Sequence, residues 1–199
     1  MDLLPLDVAT GQTMRVFRAR VSRDEAVKAF NSHGLRRWSL LRDLRPLRSV
    51  AELYLPFRLY RVFIRRGNTL DTRCMALDLL SGSLDPFTFD SEPGESDTHL
   101  TISKNHPPAI LDDPKARHIL TTKIQRVLFQ SGFFRMKTLD IQLEPVIDCL
   151  HMPYWVGFFG AKEAASIQIL DATRRVMEGN KLRRFVHEWL AEDRTESQS

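Results

Sequence analysis

Patterning begins at Met14-Arg-Val-Phe-Arg-Ala-Arg-Val21, where Phe17, Ala19 and Val21 fall on one side and Val16, Arg18 and Arg20 on the other. A period of two predicts a half-buried strand. Ser22-Arg-Asp-Glu25 follows with capping-box spacing: the serine hydroxyl accepts from a helical N–H while the glutamate reaches back. Ala26, Val27 and Phe30 give the helix it starts an apolar stripe, and Gly34 ends it. Leu35, Trp38, Leu41 and Leu44 recur every three residues, so a second short helix is expected up to Pro46. Val50 to Ile64 reads as a long strand, in which Pro56, having no N–H, implies an edge position or a bulge. Gly67-Asn68 turns the chain into a returning strand from Cys74 to Leu80.

From Ser81 to Pro108 the chain is acidic and rich in Pro, Gly and Ser, which predicts a mobile loop with one short strand around Leu100 and Ile102. Asp113 is the expected N-cap of the next helix, with Pro114 at its first position. Ala116, Ile119, Leu120, Ile124, Val127 and Leu128 line one face of that helix, and Gly132 closes it. Leu139, Ile141 and Leu143 then alternate with polar residues as a strand, broken at Pro145 and again at Pro153. Tyr154–Phe159 and Ser166–Leu170 form a strand pair. A helix from about Asn180 turns Leu182, Phe185, Val186, Trp189 and Leu190 inward.

The order strand, helix, proline-marked strand, strand occurs twice, and Glu52 to Phe63 compares with Asp148 to Phe159. The expected fold is therefore one α+β domain over residues 1–199. It has a mostly antiparallel sheet, helices packed on one face, and an internal duplication into units of about 12–90 and 91–192, with a polar tail at 193–199.

Leu77-Asp78-Leu79-Leu80-Ser81-Gly82, after a strand–turn–strand, resembles the end of a PepSY-type unit, in which the second strand closes with Asp and a Gly four residues on. In the second unit Arg175 stands where that glycine would be. The resemblance covers about thirty residues per unit, and it implies a non-catalytic regulatory or interaction module.

Composition narrows the classes further. With 43% apolar and 27% charged residues the chain reads as a soluble folded protein. It has no apolar run long enough to span a bilayer, and its first residues lack the features of a secretory signal. Two cysteines, Cys74 and Cys149, build no disulfide framework, so a reducing, cytoplasmic compartment is the simplest expectation. The net charge is only +4, but it is segregated. Fourteen Lys/Arg face four Asp/Glu between Met14 and Arg66, whereas nine Asp/Glu face two Lys/Arg between Asp71 and Asp113. The basic part suits nucleic acid, an anionic surface or an acidic protein, unless the two parts neutralise each other.

Four groups carry candidate chemistry. Arg36, Arg37, Arg42, Arg45 and Arg48, continued by Arg58, Arg61, Arg65 and Arg66, are the candidate contacts for an acidic partner or for phosphates, with Trp38 as a stacking surface. Tyr54, Tyr60, His151, Tyr154 and Trp155 are a possible pocket, shared with Phe57, Phe158 and Phe159. Cys149 and His151, two apart, would share a strand face as a thiol–imidazole pair. His99, His106, Asp112, Asp113 and His118 are metal-ligand types without a zinc spacing. Phosphate loops, a Gly-x-Ser-x-Gly elbow and His-Glu-x-x-His are absent, and no metal or cofactor is called for. The resulting expectation is a non-catalytic interaction or accessory protein for an acidic protein partner. Nucleic-acid binding through segment 36–66 is the alternative, and a small-molecule site at the aromatic cluster the weaker third.

Overall fold

The computed structural model describes residues 12–36, 46–130, 139–160 and 166–196. Its elements are β1 (Gln12–Phe17), α1 (Arg23–Arg36), β2 (Leu47–Arg66), β3 (Thr69–Asp78), β4 (Phe87–Phe89), β5 (Thr98–Ser103), α2 (Asp113–Gln130), β6 (Leu139–Phe159), β7 (Ser166–Asp171) and α3 (Asn180–Glu196). The seven strands form one mixed, mostly antiparallel sheet in the order β4-β3-β2-β6-β1-β5, with β7 also paired to β6. Among the described residues the one parallel contact is the bridge between Val16 and His151. The α+β class is as expected.

Two long strands make the centre. β2 and β6 pair antiparallel from Leu47↔Phe159 to Arg66↔Leu139. Neither proline ends a strand. Pro56 lies opposite His151, and Pro153 opposite Tyr54, inside an unbroken ladder. Tyr54 N–H, one strand period before Pro56, donates to Asn105 O at 2.9 Å, away from β6. The donor Pro56 lacks would point the same way, so the β2–β6 ladder loses nothing. Each proline still serves as an acceptor: Leu79 N–H bonds Pro56 O at 2.8 Å and Ala172 N–H bonds Pro153 O at 3.1 Å. The breaks expected at Pro145 and Pro153 are corrected accordingly, whereas Pro56 does lie where β2 pairs with β6 alone, just beyond the end of β3. The ladder does shift register between Phe57 and Tyr60, where β6 carries extra residues, and Pro145 sits at that irregularity.

The helices do not share one face. β2 is buried on both sides from Leu53 to Tyr60 apart from Arg58, so both faces need cover. On one face α2 places Ala116, Leu120, Ile124 and Leu128 against Tyr60, Val62, Ile64, Leu77 and Leu79. On the same face Phe30 of α1 packs with Trp155 and Phe159. A Cβ at Gly157 would come within 3.0 Å of the Phe30 ring, so the missing side chain lets α1 approach. On the opposite face α3 sets Leu182 and Val186 on Leu53, Leu55, Phe57, Met152 and Tyr154, with Phe185, Trp189 and Leu190 alongside. Val127, expected on the buried stripe of α2, is exposed.

Local signals explain the helix starts. At α1 the capping box forms as expected: Glu25 N–H to Ser22 Oγ at 3.3 Å, and Ser22 N–H to Glu25 Oε2 at 2.8 Å. At α2 the cap is one residue earlier than expected. Asp112 Oδ1 accepts from Lys115 N–H at 2.9 Å, which releases Asp113 for other partners. The acidic stretch after Ser81 is likewise not one irregular loop, since it holds β4, a 3-10 turn at Glu95–Asp97, and β5. The expected short helix at 35–44 lies outside the described residues except at its first two positions, which extend α1.

Candidate functional site

The arginines expected to act together are divided by the fold. Arg58 on β2 is held by Asp113 at 3.2 Å and Asp148 at 3.8 Å. Arg61 bonds Glu92 and also Glu144, the latter at 3.5 Å. Arg66 pairs with Asp71 at 3.5 Å. Arg65 is exposed and stands opposite Asp140 in the ladder, and Arg48 is exposed at the start of β2. Arg36 ends α1, while Arg37, Trp38, Arg42 and Arg45 lie outside the described residues. Of the β2 arginines, Arg58, Arg61 and Arg66 are thus paired within the chain, whereas Arg48 and Arg65 are exposed without an ion pair among the described residues. Burial alone would raise the Asp113 carboxyl, but bonds from Arg117 and Tyr60, with the charges of Arg117 and Arg58, hold it below the usual range.

The aromatic residues do not form one pocket either. Tyr60 sits under α2, with its hydroxyl donating to Asp113 Oδ1 at 2.9 Å; burial first, then that bond, pushes its pKa up to about 12. Tyr154 is buried on the α3 face. Trp155 faces α1 and donates its indole N–H to Val21 O at 2.9 Å. Tyr54 donates to Glu52 at 2.7 Å. Tyr54, Tyr154 and Trp155, with Val16, Glu52, His99 and Pro153, line a cavity of about 100 Å³. That is well below the roughly 300 Å³ at which small-molecule sites begin. A shallow hollow of about 280 Å³ lies elsewhere, on Phe63, Arg65, Leu70, Asp140, Gln142 and Glu144, open to solvent and of mixed charge.

His151 meets His106 ring to ring at 5.7 Å, and Cys149 Sγ lies 3.9 Å from His151 Nδ1. Burial, then His106, lowers the His151 pKa to about 4, and burial also lowers that of His106. Cys149 is exposed by area, yet its neighbours desolvate the sulfur and push the thiol up. A neutral imidazole beside a neutral thiol is the opposite of an activated nucleophile. The five candidate metal ligands do not converge: His99 lines the small cavity, His106 meets His151 edge to face, Asp112 caps α2, Asp113 binds Arg58, Tyr60 and Arg117, and His118 is exposed on α2. Among the described residues no three His, Cys, Asp or Glu are placed to share an ion.

A tethered connector between β1 and α1 presents a cluster of positive charge without ion pairs among the described residues. Its backbone is fixed at four points. Arg18 N–H bonds Asp97 O at 2.8 Å, Arg20 N–H bonds Ala172 O at 2.8 Å, Arg20 O accepts from Arg175 at 2.6 Å, and Val21 O takes the Trp155 indole. Only Val21 is buried; Arg18, Arg20, Arg23 and, one helical turn on, Lys28 are exposed. Among the described residues none of the four has a carboxylate partner, and Arg18 reaches only Ser96 O, at 2.7 Å. Asp24 and Glu25 stand among them, with Glu25 engaged by Ser22 and by Arg175 at 3.2 Å. Sequence reading gave Arg36–Arg66 priority because local density was its only guide; the partners of Arg58 and Arg61 lie 31 to 90 residues away. It also passed over Arg174, whose guanidinium joins Asp171, Glu178 and the Phe87 ring.

No family model matches the chain, and neither does any curated protein or solved structure. Among the described residues no helix is long and apolar enough to cross a membrane.

Proposed function

We propose that this protein is a non-catalytic interaction protein that holds an acidic segment of a protein partner on the connector between β1 and α1. The carrying observation is that Arg18, Arg20, Arg23 and Lys28 are exposed and unpaired on a backbone fixed at both ends, whereas Arg58, Arg61 and Arg66 are paired within the chain. A fixed backbone lowers the ordering cost of binding. The N-terminus of α1 adds a favourable field for carboxylates. Asp24 and Glu25, interleaved with the cations, suit a protein surface of mixed charge better than a continuous phosphate track. The free thiols of Cys74 and Cys149 fit a reducing compartment, which we take to be the cytoplasm.

We further infer that the chain is a duplication of a strand–helix–strand–strand unit. Support comes from the repeated order β1-α1-β2-β3 and β5-α2-β6-β7, and from the antiparallel pairing of the two long strands. Matching pairs are Phe57↔Asp78 and Tyr154↔Asp171, and the two proline carbonyls are bonded alike from Leu79 and Ala172. On this reading α3 has no counterpart in the first unit.

The test is fluorescence anisotropy of the full chain against labelled oligoglutamate, single-stranded RNA and single-stranded DNA over a salt series. Saturable binding of oligoglutamate, weakened at least about tenfold by Arg18→Glu/Arg20→Glu/Arg23→Glu, is expected. Arg61→Ala leaves it unchanged. Absence of oligoglutamate binding at low salt overturns the reading. Tighter binding of RNA or DNA with a steep salt slope replaces it with nucleic-acid recognition.

A further inference from the structure

We propose that two copies of this chain pair antiparallel through β5, with Thr101 of each copy on the twofold axis. The inference is independent of the acidic-partner reading, because it uses a different edge of the sheet. β5 is the last strand of the sheet, and among the described residues it pairs only with β1. Sheet edges are ordinarily blunted by a charge, a proline, a bulge or brevity. At the other end β4 is only three residues long. β5 has none of these protections: Thr-His-Leu-Thr-Ile-Ser runs six residues in unbroken register, without Asp, Glu, Lys, Arg or proline. Leu100 and Ile102 stand on one face of it at 70% and 60% exposure.

The ladder to β1 decides which backbone groups are free. Arg18 N–H bonds Asp97 O in continuation of the β1–β5 register, so residues 97, 99, 101 and 103 point their backbone groups toward β1. The N–H and C=O groups of Leu100 and Ile102 therefore point outward. A twofold pairing must keep like faces together, which allows axes only at a residue position. An axis at Thr101 sets Leu100 opposite Ile102 of the second copy, twice over. All eight outward groups of those four residues are then bonded, and the four exposed apolar side chains become two cross-strand pairs. An axis at Leu100 would leave Ile102 opposite Thr98. An axis at Ile102 would set Leu100 opposite Lys104. Only the Thr101 register consumes the whole apolar patch.

Charge points to the same antiparallel arrangement. Glu92, Glu95 and Asp97 precede β5, and Lys104 follows it. Antiparallel pairing sets the acidic end of one copy beside the basic end of the other; parallel pairing would set like against like. A strand pair of this length buries less than a standard interface, so the dimer is expected to form in the micromolar range.

The test is sedimentation velocity of the full chain from about 1 to about 200 µM, with disulfide trapping in a Cys149→Ser background. The expected results are a monomer–dimer equilibrium and a covalent dimer from Thr101→Cys, whose Cα atoms would lie about 4.5 Å apart in a non-hydrogen-bonded pair. Leu100→Lys/Ile102→Lys, on the surface and therefore leaving the melting temperature unchanged, should remain monomeric throughout. A wild-type chain that stays monomeric at the top concentration overturns the proposal, whatever other strand binds the edge. Trapping at Ile110→Cys, an exposed site outside β5, as efficient as at Thr101→Cys overturns it as well. Trapping that is best at Leu100→Cys overturns the register.

Discussion

Two strand ends, Asp78 to Leu84 and Asp171 to Arg175, share a backbone geometry and differ in what holds it. Asp78 Oδ1 accepts from Ser81 N–H at 3.0 Å and Gly82 N–H at 2.9 Å, and its Oδ2 from Leu84 N–H at 3.0 Å. Asp171 Oδ1 accepts from Thr173 N–H at 2.8 Å and Arg174 N–H at 2.7 Å, while its Oδ2 takes Arg174 Nε at 2.7 Å. Both carboxylates are buried. Four residues on, φ is +64° at Gly82 and +62° at Arg175. The first carboxylate serves only its own turn. The second holds a guanidinium that also bonds Glu178 at 3.2 Å, reaches Asp85 O at 3.4 Å and lies 4.0 Å over the Phe87 ring. The same turn chemistry is thus a local cap in one place and a junction between distant segments in the other.

Removing the two carboxylates gives the largest separation. Asp171→Ala leaves a guanidinium that is mostly covered with one acidic partner, and should cost about 4 kcal/mol. Asp78→Ala leaves three N–H groups short of an acceptor and should cost about 2 kcal/mol. Urea unfolding of both variants checks the order. Equal losses would mean that Arg174 contributes nothing as a junction.

The crossing of the two long strands sharpens the contrast through pH. There Tyr54 of β2 faces Pro153 and His151 of β6 faces Pro56, so a phenol and an imidazole each stand opposite a proline. Burial and His106 bring the His151 pKa down to about 4, against an ordinary 6.5. Between those values the unfolded chain binds a proton that the folded chain does not, so stability rises with pH across the window. The contribution is complete above about pH 6.5 and is lost as pH falls toward 4. Discounted for partial exposure, it amounts to about 2 kcal/mol. His151→Gln should flatten the stability–pH curve between pH 4 and 6.5, as followed by thermal melts. An unchanged slope would assign the acid sensitivity to other groups.

How much of this was legible in the sequence depended on distance along the chain. The Ser22–Glu25 box and the Asp78-to-Gly82 strand end are complete within a few residues and could be read directly. Asp112 and Asp113 are equally able to cap, and only the presence of Arg58 and Tyr60 opposite the second explains the division of labour. Pro145 and Pro153 were misread as breaks because local rules do not say which side of a strand the missing donor faces. Burial of β2 on both sides was visible as an unalternating run, yet the consequence, a helix on each face, depends on the placement of α3. Leu100 and Ile102 were read as a strand, but their exposure follows from β5 lying at the edge.

Position four of the two turns offers the finest test of the comparison. Gly82→Ala puts a Cβ on a backbone at φ +64° and within 2.9 Å of two Ile119 methyl carbons, so the strain and the contact should together cost about 2 kcal/mol. Arg175→Gly removes the same backbone strain, worth about 1 kcal/mol, but loses the exposed pair with Glu25 and the bond to Arg20 O. These terms nearly cancel, and the melting temperature should move by no more than about 2 °C in either direction. A clear loss of stability in Arg175→Gly would show that the side chain, rather than the carboxylate of Asp171, holds the second turn and its grip on the connector. The accompanying readout is oligoglutamate affinity: if the connector is fixed mainly by Arg18, Ala172 and Trp155, the variant should bind nearly as well as the wild type.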